Sequence, residues 1–117
     1  MKTKINFLIL ALLFVTTIGT AQQIQMPQAS PSSKIIQKVG LTDVTVDFSR
    51  PSTKGRKIFG ELVPYGQVWR TGANGATILT FSTEVIIGGT KVPAGAYALY
   101  SIPGKSAWTI ILSKNTK

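Results

Sequence analysis

The run DVTVDFS, residues Asp43–Ser49, decides the fold class of this chain. Val44, Val46 and Phe48 alternate there with polar residues, and this period of two is typical of a β-strand with one buried face. Other β-rich runs follow at short intervals, separated by turns that contain glycine or proline. The pattern predicts seven or eight short strands and an all-β fold, either an antiparallel β-sandwich or an open barrel.

The strand pattern outside this run sets the predicted order of elements. The predicted strands cover residues 35–39, 43–49, 67–71, 76–82, 84–87, 91–93, 96–102 and 107–113. Asn74-Gly75 lies between the third and fourth of these, and both residues tolerate positive φ. The sequence therefore predicts a hairpin that joins 67–71 to 76–82.

One long connection interrupts the strands between residues 50 and 74. From Pro51 to Gly66 no period is sustained, and a connection of about 15 residues is usually functional or structured on itself. We expect a basic arm, Arg50–Lys57, followed by a hydrophobic plug, Ile58–Val63. The apolar spacing within the plug predicts a short helical turn.

The N-terminus has the composition of a secretory signal peptide, residues 1–21. Basic residues precede the apolar run Ile5–Val15, and the small residues Gly19 and Ala21 frame a cleavage site before Gln22. We expect export to the periplasm or the cell exterior. Since no cysteine follows the run, a lipid anchor is excluded.

Two further expectations follow from this N-terminus. A membrane span needs about 20 apolar residues, and the apolar run Ile5–Val15 is shorter. We therefore expect no stable membrane insertion after cleavage. An N-terminus that is retained as a membrane anchor is the weaker alternative. The Gln-, Pro- and Ser-rich residues 22–33 predict a flexible N-terminal segment, and residues 34–117 the β-sandwich domain.

The residue types that are missing restrict the chemistry. The chain has no histidine and no cysteine, which excludes Ser-His-Asp and Cys-His catalysis, zinc sites built on those ligands, and disulfides. The four carboxylates, Asp43, Asp47, Glu61 and Glu84, could formally provide an acid/base pair, but we expect none, because Asp43 and Asp47 are strand residues that face solvent. We therefore expect no metal and no cofactor, and the sequence favours a non-enzymatic protein. A hydrolase or lyase acting through Arg, Tyr and a carboxylate such as Glu61 is the alternative.

The charge of the chain indicates its partners. Removal of Lys2 and Lys4 with the signal peptide lowers the formal charge from +9 to +7. Such an excess attracts polyanions, which for an exported protein are envelope lipids, acidic polysaccharides or acidic proteins rather than nucleic acid. The simpler interpretation is that the lysines and arginines keep a small domain soluble.

The loop 50–74 carries the candidate ligand-binding residues. Arginine forks and glycine-flanked backbone amides bind carboxylate, phosphate or sulfate groups, and exposed aromatic rings stack on sugars. The structural alternative is that Arg50 and Arg70 bond loop carbonyls while Arg56 is solvated. In that alternative the tryptophan packs in the core and the asparagine forms a turn. The candidates are Arg50, Lys54, Arg56, Tyr65, Trp69, Arg70 and Asn74.

A long set of motifs in this loop and beyond it resembles a known family. The motifs are Ser49-Arg50-Pro51, Lys54-Gly55-Arg56-x-Ile58-Phe59-Gly60, Leu62-Val63-Pro64-Tyr65-Gly66-x-Val68-Trp69-Arg70-Thr71-Gly72-Ala73-Asn74 and Pro93-Ala94-Gly95-x-Tyr97-x-Leu99. From about Ala29 to its C-terminus the chain resembles the exported bacterial proteins grouped as domain-of-unknown-function family 2911. The resemblance implies no particular reaction. Members of that family usually continue past a strand like Trp108–Leu112 into further strands, which implies that this chain is incomplete at its C-terminus.

Two functional hypotheses follow from these observations. The first is a non-enzymatic exported module that binds an anionic envelope ligand, such as a glycan, or an envelope protein through the loop 50–74. The second is a structural or assembly domain whose loop is an internal plug and whose last strand pairs with a partner chain. The second hypothesis predicts that Trp69 and Arg70 are buried.

Overall fold

A computed structural model describes residues 23–117, and the predicted signal peptide, residues 1–21, lies outside the described residues. Within the described range all regular structure is β, with no helix. The strands are β1 (Ser32–Val39), β2 (Thr42–Ser49), β3 (Thr77–Phe81), β4 (Val85–Ile87), β5 (Thr90–Val92), β6 (Gly95–Ile102) and β7 (Thr109–Ser113). Every strand pair is antiparallel. The predicted all-β, antiparallel class is confirmed, with two sheets in a sandwich-like arrangement.

The larger sheet is a meander of five strands in the order β1-β2-β3-β6-β7, and the smaller sheet is the hairpin β4-β5. Two excursions leave the meander: the loop 50–76 between β2 and β3, and the hairpin between β3 and β6. Because neighbouring strands run in opposite directions, these excursions leave from opposite ends of the sheet. The loop 50–76 shares its end with the start of β1 and with the loop 103–108.

The strand register explains why the alternation in β2 predicts its two faces. Val46 pairs with Ile35 of β1 and with Leu79 of β3, so apolar side chains line up on one face of the sheet. On the other face Asp43 and Asp47 pair directly with lysines of β1. The resulting ion pairs are Lys38–Asp43 at 2.7 Å and Lys34–Asp47 at 3.4 Å. Both acids are thus structural cross-strand partners on a solvated face.

The core is concentrated at the centre of the sheet, on β3 and β6. Phe81 and Tyr97 are buried with ring centroids 6.1 Å apart, and Ala98 is buried beside them on the opposite face. The Tyr97 hydroxyl donates to the Pro93 carbonyl at 2.8 Å, which satisfies the polar tip of a buried ring. On the outer strand β1, by contrast, Ile35 stays exposed.

The predicted hairpin around Asn74-Gly75 is wrong. Residues 67–71 form no strand with β3, which pairs with β2 and β6 instead. Trp69 makes an isolated antiparallel bridge to Ser101, in the position that precedes the start of β3 along β6. Asn74 does adopt positive φ, as the Asn74-Gly75 pair predicts, but it lies in a bend that leads the chain into β3. A local turn signal was outweighed by backbone pairing with a distant strand.

The plug Ile58–Val63 is a hydrogen-bonded turn and not a helix. The Val63 amide donates to the Ile58 carbonyl at 2.8 Å, and the Gly60 amide donates to the Val63 carbonyl at 2.9 Å. These bonds place Val63 in the buried interior while Leu62 and Phe59 remain exposed. Only part of the predicted plug is therefore packed inside.

The domain begins slightly earlier than the sequence pattern indicates. β1 starts at Ser32, two residues inside the segment 22–33 that was predicted to be flexible. The Arg50 amide donates to the Pro31 carbonyl at 2.9 Å, which continues the β1–β2 pairing past the ends of both strands. Residues 23–29 are exposed and contain no strand.

A glycine in the turn between β6 and β7 provides a test of this fold. A Cβ added at Gly104 would overlap the carbonyl oxygen of Ala107, which is backbone and cannot rotate away. Gly104→Ala should therefore lower the free energy of unfolding by about 1–3 kcal/mol, the usual cost of overpacking. Urea denaturation measures the change.

Gly75→Ala is the matched control, because a Cβ at Gly75 meets no atom within 4 Å. It should leave the denaturation midpoint close to that of the unchanged protein. Equal midpoints for the two variants would contradict the close approach of Gly104 to Ala107.

Candidate functional site

The candidate site lies at the end of the five-stranded sheet where the loop 50–76 meets the loop 103–108. The Gly66 amide donates to the Pro103 carbonyl at 2.8 Å. Trp69 and Ser101 exchange two backbone hydrogen bonds, N to O distances of 2.7 and 2.9 Å. The topology brings these loops together because β2 ends, β3 begins, β6 ends and β7 begins at the same edge.

Three aromatic rings pack where the loops meet, and we call them the aromatic cluster: Phe59, Trp69 and Trp108. Their centroids are 5.9 Å apart for Phe59–Trp69, 5.0 Å for Phe59–Trp108 and 6.3 Å for Trp69–Trp108, with edge-to-face geometry. Edge-to-face pairs of this kind add stability beyond the area they bury. Trp69 is half-buried and the other two rings are more exposed. The cluster therefore joins the loop 50–76 to the loop 103–108 while it leaves ring surface open to solvent.

Thr71 follows this cluster in an unfavourable backbone conformation. Its φ is 55°, a region that β-branched residues rarely adopt. Its hydroxyl lies 2.8 Å from the Ser101 hydroxyl and donates to the Trp69 carbonyl at 3.3 Å, while its own carbonyl accepts from the Thr77 hydroxyl at 3.0 Å. Several hydrogen bonds thus hold a strained residue directly after Trp69 and Arg70, as is common at functional sites.

A cleft of about 920 Å³ opens inside the loop. Apolar side chains form most of its wall, with Tyr100 of β6 contributing from the sheet. Two guanidinium side chains, Arg56 and Arg70, also line it. A cleft of this size and lining can hold a small ligand.

The two arginines of the cleft differ in how they are held. Arg56 donates from Nε to the Thr53 carbonyl at 2.9 Å and from an Nη to the Ser52 carbonyl at 3.0 Å. These two bonds hold the guanidinium against its own loop. The other three of its five N–H groups take no part in them. Arg70 is exposed, and no carboxylate within the described residues lies within 4.0 Å of either guanidinium.

The ion pairs determine where the positive charge remains. Each of the four acids is paired with a lysine: besides the two pairs on the sheet, Lys57–Glu61 and Lys91–Glu84 both measure 3.3 Å. The basic residues of 23–117 that have no such acid partner are Arg50, Lys54, Arg56, Arg70, Lys105, Lys114 and Lys117. Four of these seven lie in the loop 50–74, so the excess charge is concentrated at the candidate site.

The remaining predicted residues have structural contacts. The Asn74 amide donates to the Ser30 carbonyl and to the Ser49 hydroxyl, both at 3.1 Å, and thereby ties the segment before β1 to the end of β2. The Tyr65 ring packs against Gly60, where an added Cβ would lie 2.8 Å from a ring carbon and where φ is +89°. Both residues shape the loop.

Of the seven predicted ligand-binding residues, the structure brings three into the wall of the cleft: Arg56, Trp69 and Arg70. Arg50, Lys54, Tyr65 and Asn74 belong to the same loop but do not line the cleft. The sequence pattern assigns Phe59 and Leu62 to a plug and places Trp108 in the last predicted strand. Nothing local in the sequence indicates that Phe59 and Trp108, which lie in distant segments, are in contact.

The described residues provide few groups for other chemistry. Residues 23–117 contain no cluster of three His, Cys, Asp or Glu side chains that would suit a metal ion. The same part of the chain contains no helix with the length and apolarity needed to cross a bilayer.

Comparison with known proteins agrees with the resemblance seen in the sequence. The family described as "protein of unknown function (DUF2911)" matches residues 30–117. This range includes all seven strands and the whole loop 50–76. No curated protein and no solved structure matches the chain.

The contact between Thr71 and Ser101 can be tested by an isosteric change. Ser101 is completely buried, so Thr71→Val leaves its hydroxyl without the side-chain partner. Loss of a buried hydrogen-bond partner costs about 1–3 kcal/mol, and the melting temperature should fall accordingly.

Thr109→Val is the control for this prediction, because Thr109 is exposed on β7 and its side chain makes no hydrogen bond within the described residues. Differential scanning calorimetry should show a change near zero for Thr109→Val. If the two variants melt at the same temperature, the hydroxyl pair does not hold the loop.

Proposed function

The chain belongs to this family of proteins of unknown function, and we propose that it is an exported, non-enzymatic β domain. It binds an anionic ligand of the cell envelope, a polysaccharide or a protein, through the loop 50–74. The signal-peptide composition of residues 1–21 supports release into the periplasm or the exterior without a lipid anchor.

The observation that carries the proposal is the cleft with unneutralised arginines in its wall. Arg70 is exposed next to Trp69, and no described carboxylate competes for its guanidinium. Arginine binds carboxylate, phosphate and sulfate groups through two parallel hydrogen bonds, which favours an anion that presents two adjacent oxygens at this position. The half-buried Trp69 ring provides an adjacent surface for a sugar ring or an apolar group.

Arg56 supports the same proposal through its fixed position. Because two of its N–H groups already bond the Thr53 and Ser52 carbonyls, the side chain is held in place before a ligand binds. A preorganised donor loses less conformational entropy on binding than a free one. The N–H groups left over can then contact an anion at a lower entropic cost.

The absence of acids from the cleft wall favours binding over catalysis. None of the residues that line the cleft is Asp or Glu, and Glu61 is paired with Lys57 on the exposed side of the loop. A hydrolase or lyase needs a positioned proton donor or acceptor. The wall of the cleft provides cationic and aromatic groups, which suit binding, and contains no carboxylate.

An assembly domain is the second candidate function, and one observation favours it. The outer edge of β7 has no strand partner within residues 23–117, and Thr109–Ser113 contains neither a charge nor a proline to protect that edge. The bonds of Arg56 to its own loop also suit an internal plug. The exposure of Arg70 disagrees with an internal plug, because the plug hypothesis requires that side chain to be buried.

Removal of the Arg70 charge tests ligand binding. Arg70→Gln should weaken binding of the purified protein to dextran sulfate about tenfold, since a charge-assisted hydrogen bond is lost. Isothermal titration calorimetry at moderate salt measures the affinity. The melting temperature should stay unchanged, because Arg70 is exposed.

Lys114→Gln is the matched control, since it removes the same charge beyond the far end of β7. Its affinity should stay near that of the unchanged protein. An equal loss in both variants would show that binding depends on net charge and not on the loop. No loss for Arg70→Gln would contradict the proposed site.

A further inference from the structure

The wall of the cleft is unusually apolar for a surface that binds only hydrophilic anions. Three large apolar side chains that line it are exposed to solvent: Val68 at 62%, Leu62 at 53% and Phe59 at 40%. They lie within one short stretch of the loop, beside Trp69. Single exposed apolar residues are common on protein surfaces, but a group of them in a concave surface indicates a binding site for apolar groups.

The aliphatic part of this wall distinguishes between kinds of ligand. A sugar ring gains from stacking on an aromatic face, such as that of Trp69 or Phe59, and gains little from leucine or valine side chains. An acyl chain or aryl group gains free energy in proportion to the apolar area that it buries against all of them. The cleft thus combines an apolar wall with a cationic group, and this combination matches a molecule that has both an apolar and an acidic part.

We propose that the cleft binds a monomeric anionic amphiphile, a small molecule with an acyl or aryl group that ends in a carboxylate, phosphate or sulfate. The apolar part lies against Phe59, Leu62 and Val68, and the acidic group lies at the arginines of the cleft. This inference rests on the anion-binding site of the proposed function and goes beyond it, because it adds a small amphiphile to the polysaccharide and protein ligands proposed there.

The size of the cleft favours a single molecule over a membrane surface. A volume of about 920 Å³ falls in the range of small-ligand sites. Binding to a bilayer surface uses a convex or flat apolar face that enters the lipid, and needs no cavity. The apolar side chains here line an open concave cleft and therefore suit a ligand that enters it.

The two tryptophans of the chain provide a direct signal for binding. Trp69 lines the cleft and Trp108 contacts it in the aromatic cluster, so all tryptophan emission comes from the site. Dodecanoate below its micelle concentration should change this emission in a saturable manner. Affinity should rise roughly threefold to fourfold for each CH₂ from octanoate to dodecanoate, because each methylene is removed from water.

Variants separate the apolar contacts from the ionic one. Val68→Thr keeps the shape of an exposed side chain, and we expect it to weaken dodecanoate binding about threefold or more and dextran sulfate binding by a smaller factor. Arg70→Gln should weaken the binding of both probes. Ile86→Ser is the control: Ile86 is 68% exposed on β4, away from the cleft, and its replacement should change neither affinity.

The outcomes separate the inference from the proposed function. Binding of dextran sulfate without binding of dodecanoate would overturn the amphiphile and leave the anionic site intact. Failure of both probes would overturn both proposals. If vesicles of anionic phosphatidylglycerol bind and monomeric dodecanoate does not, the loop contacts a membrane surface and the cleft holds no single amphiphile. Dodecanoate binding that is unaffected by Val68→Thr and by a second variant, Leu62→Ser, would place the ligand elsewhere.

Discussion

The backbone pairing of Trp69 with Ser101 is the constraint on which the loop 50–76 depends. Two hydrogen bonds add one residue of this loop to the edge of β6, beyond the position where β3 begins. The Ser101 side chain is completely enclosed as a result and can only bond within the protein. This pairing sets the position of the indole ring, and the indole ring in turn sets the positions of Phe59 and Trp108. One wall of the cleft is therefore built on a sheet, although its residues come from a loop.

The strain at Thr71 is a consequence of this attachment. The chain has to leave the pairing with Ser101 and turn toward β3 within a few residues, and a left-handed conformation at Thr71 makes the turn. The hydroxyl contact with Ser101 and the bond from Thr77 offset the cost of that conformation, which is of order 1–3 kcal/mol. The polar contacts of Thr71 with Ser101 and Thr77 thus hold the C-terminal part of the loop 50–76 in place. Polar networks of this kind are sensitive to the loss of a single partner.

The sequence predicts the strands well where the signal is local and fails where the partner is distant. The alternation in Asp43–Ser49 indicates β2 correctly, because a single sheet face determines it. The Asn74-Gly75 signal predicts a hairpin that does not form, since Trp69 pairs with a residue of β6 that no local pattern identifies. The basic character of the loop is visible in the composition. The composition does not show which lysines are neutralised, because the pairing of Lys34 with Asp47 depends on the strand register.

The pairing of every acid with a lysine has a consequence for how the protein meets other molecules. Most of the cationic groups left without an acid partner in residues 23–117, from Arg50 to Lys105, lie at one end of the sheet. The opposite end carries neutral pairs such as Lys38–Asp43, together with the unpaired Lys114 and Lys117 beyond β7. The described domain therefore has more unpaired positive charge at the cleft end, and a negatively charged surface orients the domain with the cleft toward that surface. Such steering raises the rate of encounter at low ionic strength and fades as salt shortens the reach of the field.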